Sequence, residues 1–181
     1  TEADVLDVTN NDRSFNSKGI HTTATLDLAF DEISHELEFG IRYHFDEVDR
    51  NHKQRGYYMT SNRLNWDGLQ RGAKTLNHQE SKALSFYIED NVSWRDFRLS
   101  VGVRHEDIRG VRDDYLSASR VDSDQNNTSF GLGALWQATD NLSLIAGVYQ
   151  GFSPAAPGSG VEPEETINYE YGARYFKDNS R

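Results

Sequence analysis

Hydrophobic and polar residues alternate one for one along much of the chain. In residues 18–30, Ile20, Thr22, Ala24, Leu26, Leu28 and Phe30 share one face, with Gly19, His21, Thr23, Thr25 and Asp27 on the other. Residues 35–45 repeat the pattern: Leu37, Phe39, Ile41, Tyr43 and Phe45 stand opposite Glu36, Glu38, Gly40, Arg42 and His44. Apolar residues at strict i, i+2 spacing fit a strand with one greasy side and do not fit a helix. Residues 82–94 and 97–108 predict a hairpin around Arg95-Asp96. Residues 128–138 and 141–152 predict another around Thr139-Asp140, and residues 166–176 a last strand. Thr1 to Ser17 reads as the tail of a loop, and residues 177–181 as the start of a turn.

About seven strands result, and their connections have a rhythm. Short turns at 31–34, 95–96 and 139–140 alternate with long polar stretches at 46–81, 109–127 and 153–165, which carry no sustained period. The strands run about 11–13 residues, where a tilted membrane strand needs roughly 9–11 and an average globular strand about 5–6. Tyr43, Phe45, Trp94, Phe97, Phe152, Tyr169 and Tyr175 fall near strand ends, where aromatic girdles sit at the bilayer interfaces. The expected fold is all-β, an antiparallel up-and-down transmembrane β-barrel. Closed single-chain barrels start at about 8 strands and are even-numbered, so residues 1–181 read as part of one larger barrel domain. Asp90 falls on the apolar face of its strand and reads as a membrane-boundary residue or a bulge.

Composition narrows the function. Across 181 residues, 29 Asp+Glu against 19 Lys+Arg give a net charge of −10, which argues against a nucleic-acid partner. The lack of any run of about 18 apolar residues excludes a transmembrane helix and leaves a barrel open. The first ten residues hold no export signal. With no Cys there is no disulfide framework and no thiolate metal site. The 6 His form no H-x-x-H pair, and Ser153, in Gly-Phe-Ser-Pro, is not in a nucleophile elbow. No enzyme activity, no resident cofactor and no protein-ligated metal are expected.

Gly40-Ile41-Arg42-Tyr43, Gly102-Val103-Arg104-His105 and Gly172-Ala173-Arg174-Tyr175 repeat one signature, Gly-x-Arg-aromatic. Alternation puts each Gly and Arg on the polar face. Glu38, Arg42, Arg104, Glu170 and Arg174 are therefore expected to charge the inner wall, as a ladder of Arg–carboxylate pairs.

Residues 151–175, GFSPAAPGSGVEPEETINYEYGARY, resemble the G-F-x-P…P-E-x-x-x-x-Y-E-x-G-x-R-Y stretch of TonB-dependent outer-membrane receptors. The matching positions are Gly151, Phe152, Pro154, Pro163, Glu164, Tyr169, Glu170, Gly172, Arg174 and Tyr175. Residues 34–50 and 86–106 are similar to the same family, and the G-F-S-P-x-x-P-G run most resembles its ferric-dicitrate branch. The resemblance implies a 22-stranded barrel in the bacterial outer membrane, with lipid around it and an N-terminal plug inside. It implies uptake of a ferric chelate, siderophore or ferric citrate, driven through TonB. The chain shows no plug domain, no TonB box and no terminal strand ending in an aromatic, so it reads as a middle segment. Guanidinium forks suit a carboxylate-bearing chelate, which makes Arg55, Arg63, Trp66 and Arg71 in the first polar stretch the expected ligand contacts. A passive or structural pore barrel is the second reading and a soluble all-β binding module the third. Detergent dependence separates the third, and an encoded plug separates the first two.

Overall fold

The computed structural model describes residues 5–177. Nine strands form one antiparallel sheet: β1 (Leu6–Thr9), β2 (Arg13–Phe30), β3 (Ile33–Thr60), β4 (Arg63–Trp66), β5 (Ala73–Trp94), β6 (Phe97–Asp114), β7 (Ser119–Thr139), β8 (Leu142–Ser153) and β9 (Glu164–Tyr175). β1 and β2 both pair with β3, and so do β4 and β5. Each couple is one ribbon with a break, so the nine strands make seven ribbons in meander order. The sheet does not close. Both outer ribbons leave backbone groups unpaired, which lipid tolerates only when further strands complete a barrel. Residues 178–181, where the start of a turn is expected, lie outside the described residues.

Register explains why the alternation matters. Phe39 stands opposite Ala24 on one side and Ile88 on the other, Ile88 opposite Val103, and Val103 opposite Phe130. The row Ile33, Trp94, Phe97, Trp136, Leu144 continues across the sheet near the short turns. In it the Phe97 ring stacks on Trp94 (centroids 6.1 Å apart) and on Trp136 (5.8 Å). These rows join apolar side chains of neighbouring strands on one continuous face. Nothing packs on that face: Phe39 is 43 % exposed, Val101 46 % and Tyr171 92 %. Ile108 is the one buried hydrophobic side chain among the described residues. A greasy sheet face of this extent belongs against acyl chains. On β3 it runs from Ile33 to Phe45, about 40 Å of strand, or about 30 Å of depth at a tilt of about 45°. That depth is the thickness of a bilayer's hydrocarbon core.

The long polar stretches are strand and not irregular loop. β3 continues fifteen residues past Phe45 to Thr60, and at 28 residues spans about 90 Å. β6 and β7 meet at the short turn 115–118. Above the bilayer water wets both sheet faces, so the hydrophobic period vanishes while the backbone ladder continues. The Ser61-Asn62 turn at the tip has positive φ at both residues (51° and 61°), the requirement of a type I′ hairpin. The stretch 5–17, read as a loop tail, is likewise mostly strand, in β1 and the start of β2. Of the three polar stretches, the third is loop over 154–163, and the first keeps only a short irregular segment at 67–72.

Asp90 is neither at a bulge nor at the boundary. Its register with Leu37 and Val101 is unbroken, two rows in from the row of Trp94. His35 Nδ1 lies 2.8 Å from Asp90 Oδ2, the two side chains 29 % and 22 % exposed. The His35 ring meets Phe30 edge-on at 6.2 Å. Asp90 Oδ1 is buried without a partner.

Candidate functional site

The face opposite the apolar one carries the chemistry. β3 presents Glu38, Gly40 and Arg42 there. β5 presents Ser85, Tyr87 and Glu89, and β6 presents Gly102, Arg104 and Glu106. Register sets who can meet whom. Glu38 stands opposite Glu89 and Thr25, and Arg42 opposite Ser85 and His21. The expected ladder of ion pairs therefore forms at one place among these residues: Arg104 Nε donates to Glu106 at 2.9 Å, and Arg104 Nη2 to Ser85 Oγ at 3.0 Å. Elsewhere tyrosines replace arginines as donors. Tyr87 donates its hydroxyl to Glu38, and Tyr149 donates to Glu170 at 3.1 Å. Arg42 contacts His44 Nδ1 at 3.2 Å, and Arg174 lies over the Phe176 ring at 5.9 Å.

Toward β9 the wall hollows. Gly102 pairs with Gly131 and Gly133 with Gly147, and a Cβ at any of the four would meet nothing closer than 3.4 Å. They floor an open trough of about 420 Å³ whose rim includes Glu89, Arg98, Leu135, Ile145, Tyr149 and Glu170. Gly40 is different, since the Tyr87 ring covers it and leaves no room for a Cβ.

At the far end of the same face three guanidiniums converge. Arg13 is the direct register partner of Arg50, which pairs in turn with the buried Asn77. Arg50 Nη1 donates to Asn77 Oδ1 at 3.3 Å, and Arg13 Nε to His52 Nε2 at 3.4 Å. Burial, then the charges of Arg13 and Arg112, hold the Arg50 pKa below the ordinary guanidinium value. Like charges directly opposite one another destabilise a sheet. Arg112 Nη2 pairs with Asp114 at 3.0 Å, but its Nε is buried without a partner. Loop 154–163 folds inward beside it. Gln125 Nε2 donates to the Ala155 carbonyl and Gln125 Oε1 accepts from the Ala155 N–H, both at 2.9 Å. Pro157 fills the space over Gly110.

The family model described as "TonB dependent receptor-like, beta-barrel" matches residues 2–181. The chain belongs to the TonB-dependent receptor β-barrel family. Among curated relatives, the ferrioxamine B receptor of Salmonella typhimurium is 27 % identical over 154 residues, 79 % of this chain and 21 % of that protein. The metal-pseudopaline receptor CntO of Pseudomonas aeruginosa strain UCBPP-PA14 is 27 % identical over 170 residues, 82 % of this chain and 23 % of the relative. The crystal structure of the unliganded ferric citrate transporter FecA superposes with a TM-score of 0.77 at 21 % identity, covering 93 % of this chain and 26 % of FecA. The chain thus spans about a fifth to a quarter of the length of these proteins, and the likeness to FecA is one of fold.

In this receptor barrel the four arginine and tryptophan candidates of the first polar stretch do not converge. Arg55, Arg63 and Trp66 lie on the long hairpin of β3 and β4, and Arg71 lies in the irregular segment 67–72 between β4 and β5. Arg55, opposite Val8, and Trp66, opposite Tyr57, are exposed on the lipid-side parity of the strands, and Arg63 sits beside the tip turn. Arg71 is held by Asp67 at 2.6 Å, with Asp7 3.9 Å away. Its hydrogen bond pulls the Asp67 pKa down, and Asp67 in turn raises that of Arg71. Gly56 lies beneath both with no room for a Cβ. Sequence reasoning missed Arg13 and Arg112, and counted Arg50 only as one of several cations of the first polar stretch without singling it out. The signal was present in their parity, because counting by twos up from Gly40 and Gly102 lands on Arg50 and Arg112.

His78 braces this hairpin on its outer side, bonding Asp49 at 2.8 Å and Glu80 at 3.3 Å. The Asp49 bond raises the His78 pKa above 6.5, burial opposes it, and Glu80 adds to it. A raised folded-state pKa stabilises fully below the unfolded value of about 6.5 and ceases to do so as pH rises through the folded value. Amide exchange of β3 and β5 above the bilayer is expected to speed up between pH 6 and pH 9 beyond the intrinsic rate increase. In His78→Gln this excess should vanish. An equal excess in both proteins would assign it elsewhere.

Proposed function

We propose that the chain forms part of the wall and mouth of a receptor that takes up an anionic ferric chelate across the bacterial outer membrane. The observation that carries this reading is the cluster of Arg13, Arg50 and Arg112 on the inward face at the wide-hairpin end. There like charges face one another and one guanidinium nitrogen is buried without an acceptor. A carboxylate-bearing chelate supplies the missing negative charge in the fork geometry guanidiniums prefer. Relatives named for ferrioxamine B and metal–pseudopaline, and a fold shared with a ferric citrate transporter, support a metal chelate as cargo. Of the four residues first singled out, Arg55, Arg63 and Trp66 lie on the hairpin beyond the cluster and stay peripheral to the ligand, and Arg71 is committed to Asp67.

The inward trough and the tyrosine-held carboxylates face the plug that such a barrel encloses, and energy arrives through TonB. The metal travels as cargo of the chelate, so the wall acts as neither an enzyme nor a holder of a resident cofactor. The test is direct binding to the full-length receptor containing this chain. Ferric citrate should bind and uncharged ferric trishydroxamate should bind more weakly. A preference for the uncharged chelate would reject the anionic reading.

A further inference from the structure

One polar pair interrupts the apolar face well inside its span. Asp90 stands between Leu37 and Val101 in one row, and His35 between Leu28 and Val92 in the next row toward the short turns. The pair satisfies itself only in part. The 2.8 Å contact joins one imidazole nitrogen, Nδ1, to one carboxylate oxygen, Oδ2. In the ion pair the imidazolium carries a proton on Nε2 as well, and among the described residues that N–H has no acceptor. Asp90 accepts this one side-chain bond, while its Oδ1 is buried without a donor. A carboxylate offers about four acceptor positions. One donor and spare acceptor capacity are thus left over at one spot on a face that meets acyl chains, which supply neither.

The surplus is self-complementary. Copies of a barrel share one orientation in the membrane. A dimer built on a two-fold axis along the bilayer normal therefore brings each group to the depth of its own counterpart. His35 and Asp90 touch, so they lie at nearly one depth themselves. Across such an axis the Nε2–H of each copy donates to the Asp90 Oδ2 of the other, and the four side chains close one ring of hydrogen bonds. Both side chains keep surface open for this, 29 % for His35 and 22 % for Asp90. Leu99 and Val101, 41 % and 46 % exposed, add apolar surface beside them.

We propose that a second copy of the receptor docks on this face, the His35–Asp90 pair of each copy bonded to that of the other. Lipid is not the occupant, because the pair lies two rows in from the row of Trp94, at a depth where lipid is hydrocarbon. Two reciprocal hydrogen bonds made in lipid favour association by about tenfold or more over a dimer that lacks them. This inference rests on the reading of the apolar face as lipid-facing.

The test uses a cysteine-free background of the full-length receptor containing this chain, reconstituted in phospholipid vesicles. Val92→Cys, beside His35 in its row, lies near the proposed axis and should form a disulfide with its own counterpart on mild oxidation. Tyr171→Cys lies in the same row of the same face, four strand steps from Val92, about 19 Å, and should not. Adding His35→Leu/Asp90→Leu to the Val92→Cys receptor should weaken dimerisation about tenfold or more, read from the cross-linked fraction as protein is diluted in lipid. Equal cross-linking at Val92 and Tyr171 marks random collision and overturns the proposal, as does an undiminished fraction in the receptor without the pair. A Val92→Cys receptor that stays single in vesicles, or joins only a different protein in native outer membranes, overturns the choice of a second copy. If the variant without the pair does not fold, the contrast between Val92 and Tyr171 decides alone. Insertion is scored separately by the heat-dependent gel mobility of a folded barrel. A receptor that inserts but stays single defeats this inference only, and one that never inserts defeats the membrane reading with it.

Discussion

Arg50→Ala/Arg112→Ala in the full-length receptor is expected to weaken ferric citrate binding about a hundredfold. Each guanidinium offers hydrogen bonds to a charged acceptor worth about 1.5–3 kcal/mol, and a combined loss of about 3 kcal/mol corresponds to a Kd higher by about two powers of ten. The effect on folding should run the other way. Among the described residues Arg50 faces Arg13 across the sheet with no carboxylate bonded to it, so Arg50→Ala alone relieves repulsion and should leave the barrel no less stable, whereas Arg112→Ala also gives up its pair with Asp114. That opposite sign separates a binding role from a structural one. Arg55→Ala/Arg63→Ala, on the exposed outer side and tip of the hairpin, should change the same Kd by less than about threefold. Titration calorimetry with ferric citrate reads both Kd values, and a denaturant titration reads the stability. An unchanged Kd in Arg50→Ala/Arg112→Ala would place the ligand elsewhere.

The pair His35–Asp90 should behave as a unit. It lies on the lipid-facing side, within the hydrocarbon span, and neither partner is more than a third exposed. Breaking a buried ion pair by removing one member costs about 3–5 kcal/mol, whereas replacing both with apolar residues is often neutral or stabilising. His35→Leu leaves Asp90 with its unpartnered Oδ1 and no counter-group, and Asp90→Leu strands the imidazole among Phe30, Leu37 and Val92. Each single change should lower the denaturant midpoint of the bilayer-inserted receptor, by about 3 kcal/mol in stability. His35→Leu/Asp90→Leu should return to within about 1 kcal/mol of the parent. Singles that match the parent would show that water reaches the pair.

The sequence was most legible where lipid and water lie on opposite sides of the sheet. There the period of two survives, and Leu37 to Phe45, Phe97 to Val103 and Phe130 to Trp136 mark strand, face and register at once. It was least legible above the bilayer. The arms of β3, β5, β6 and β7 have water on both faces, so no hydrophobic pattern marks them, and residues 46–60 read as loop although they pair with neighbouring strands throughout, with one register shift at His52/Lys53. The same blindness hid the arginine cluster. Arg13 and Arg50 lie 37 positions apart in sequence, and only register makes them neighbours. The inner-wall charges share one parity along their strands, yet their partners depend on strand offset, which gives Glu38 a tyrosine where an arginine was expected. Asp90 looked like an error in the pattern because its partner His35 is on another strand.

The claim beneath all of this is that the apolar face meets acyl chains and the polar face encloses an interior. The chain contains no Cys, so spin labels can be placed singly, in a cysteine-free background of the full-length receptor, at Phe39 and Val101 on one face and at Ser129 and Gly133 on the other. Power-saturation EPR in bilayers then compares collision with oxygen, which concentrates in lipid, and with a water-soluble nickel chelate. The labels at Phe39 and Val101 should favour oxygen, and those at Ser129 and Gly133 should not. Nickel access at Phe39 and Val101, or oxygen-rich surroundings at Ser129 and Gly133, would contradict the account.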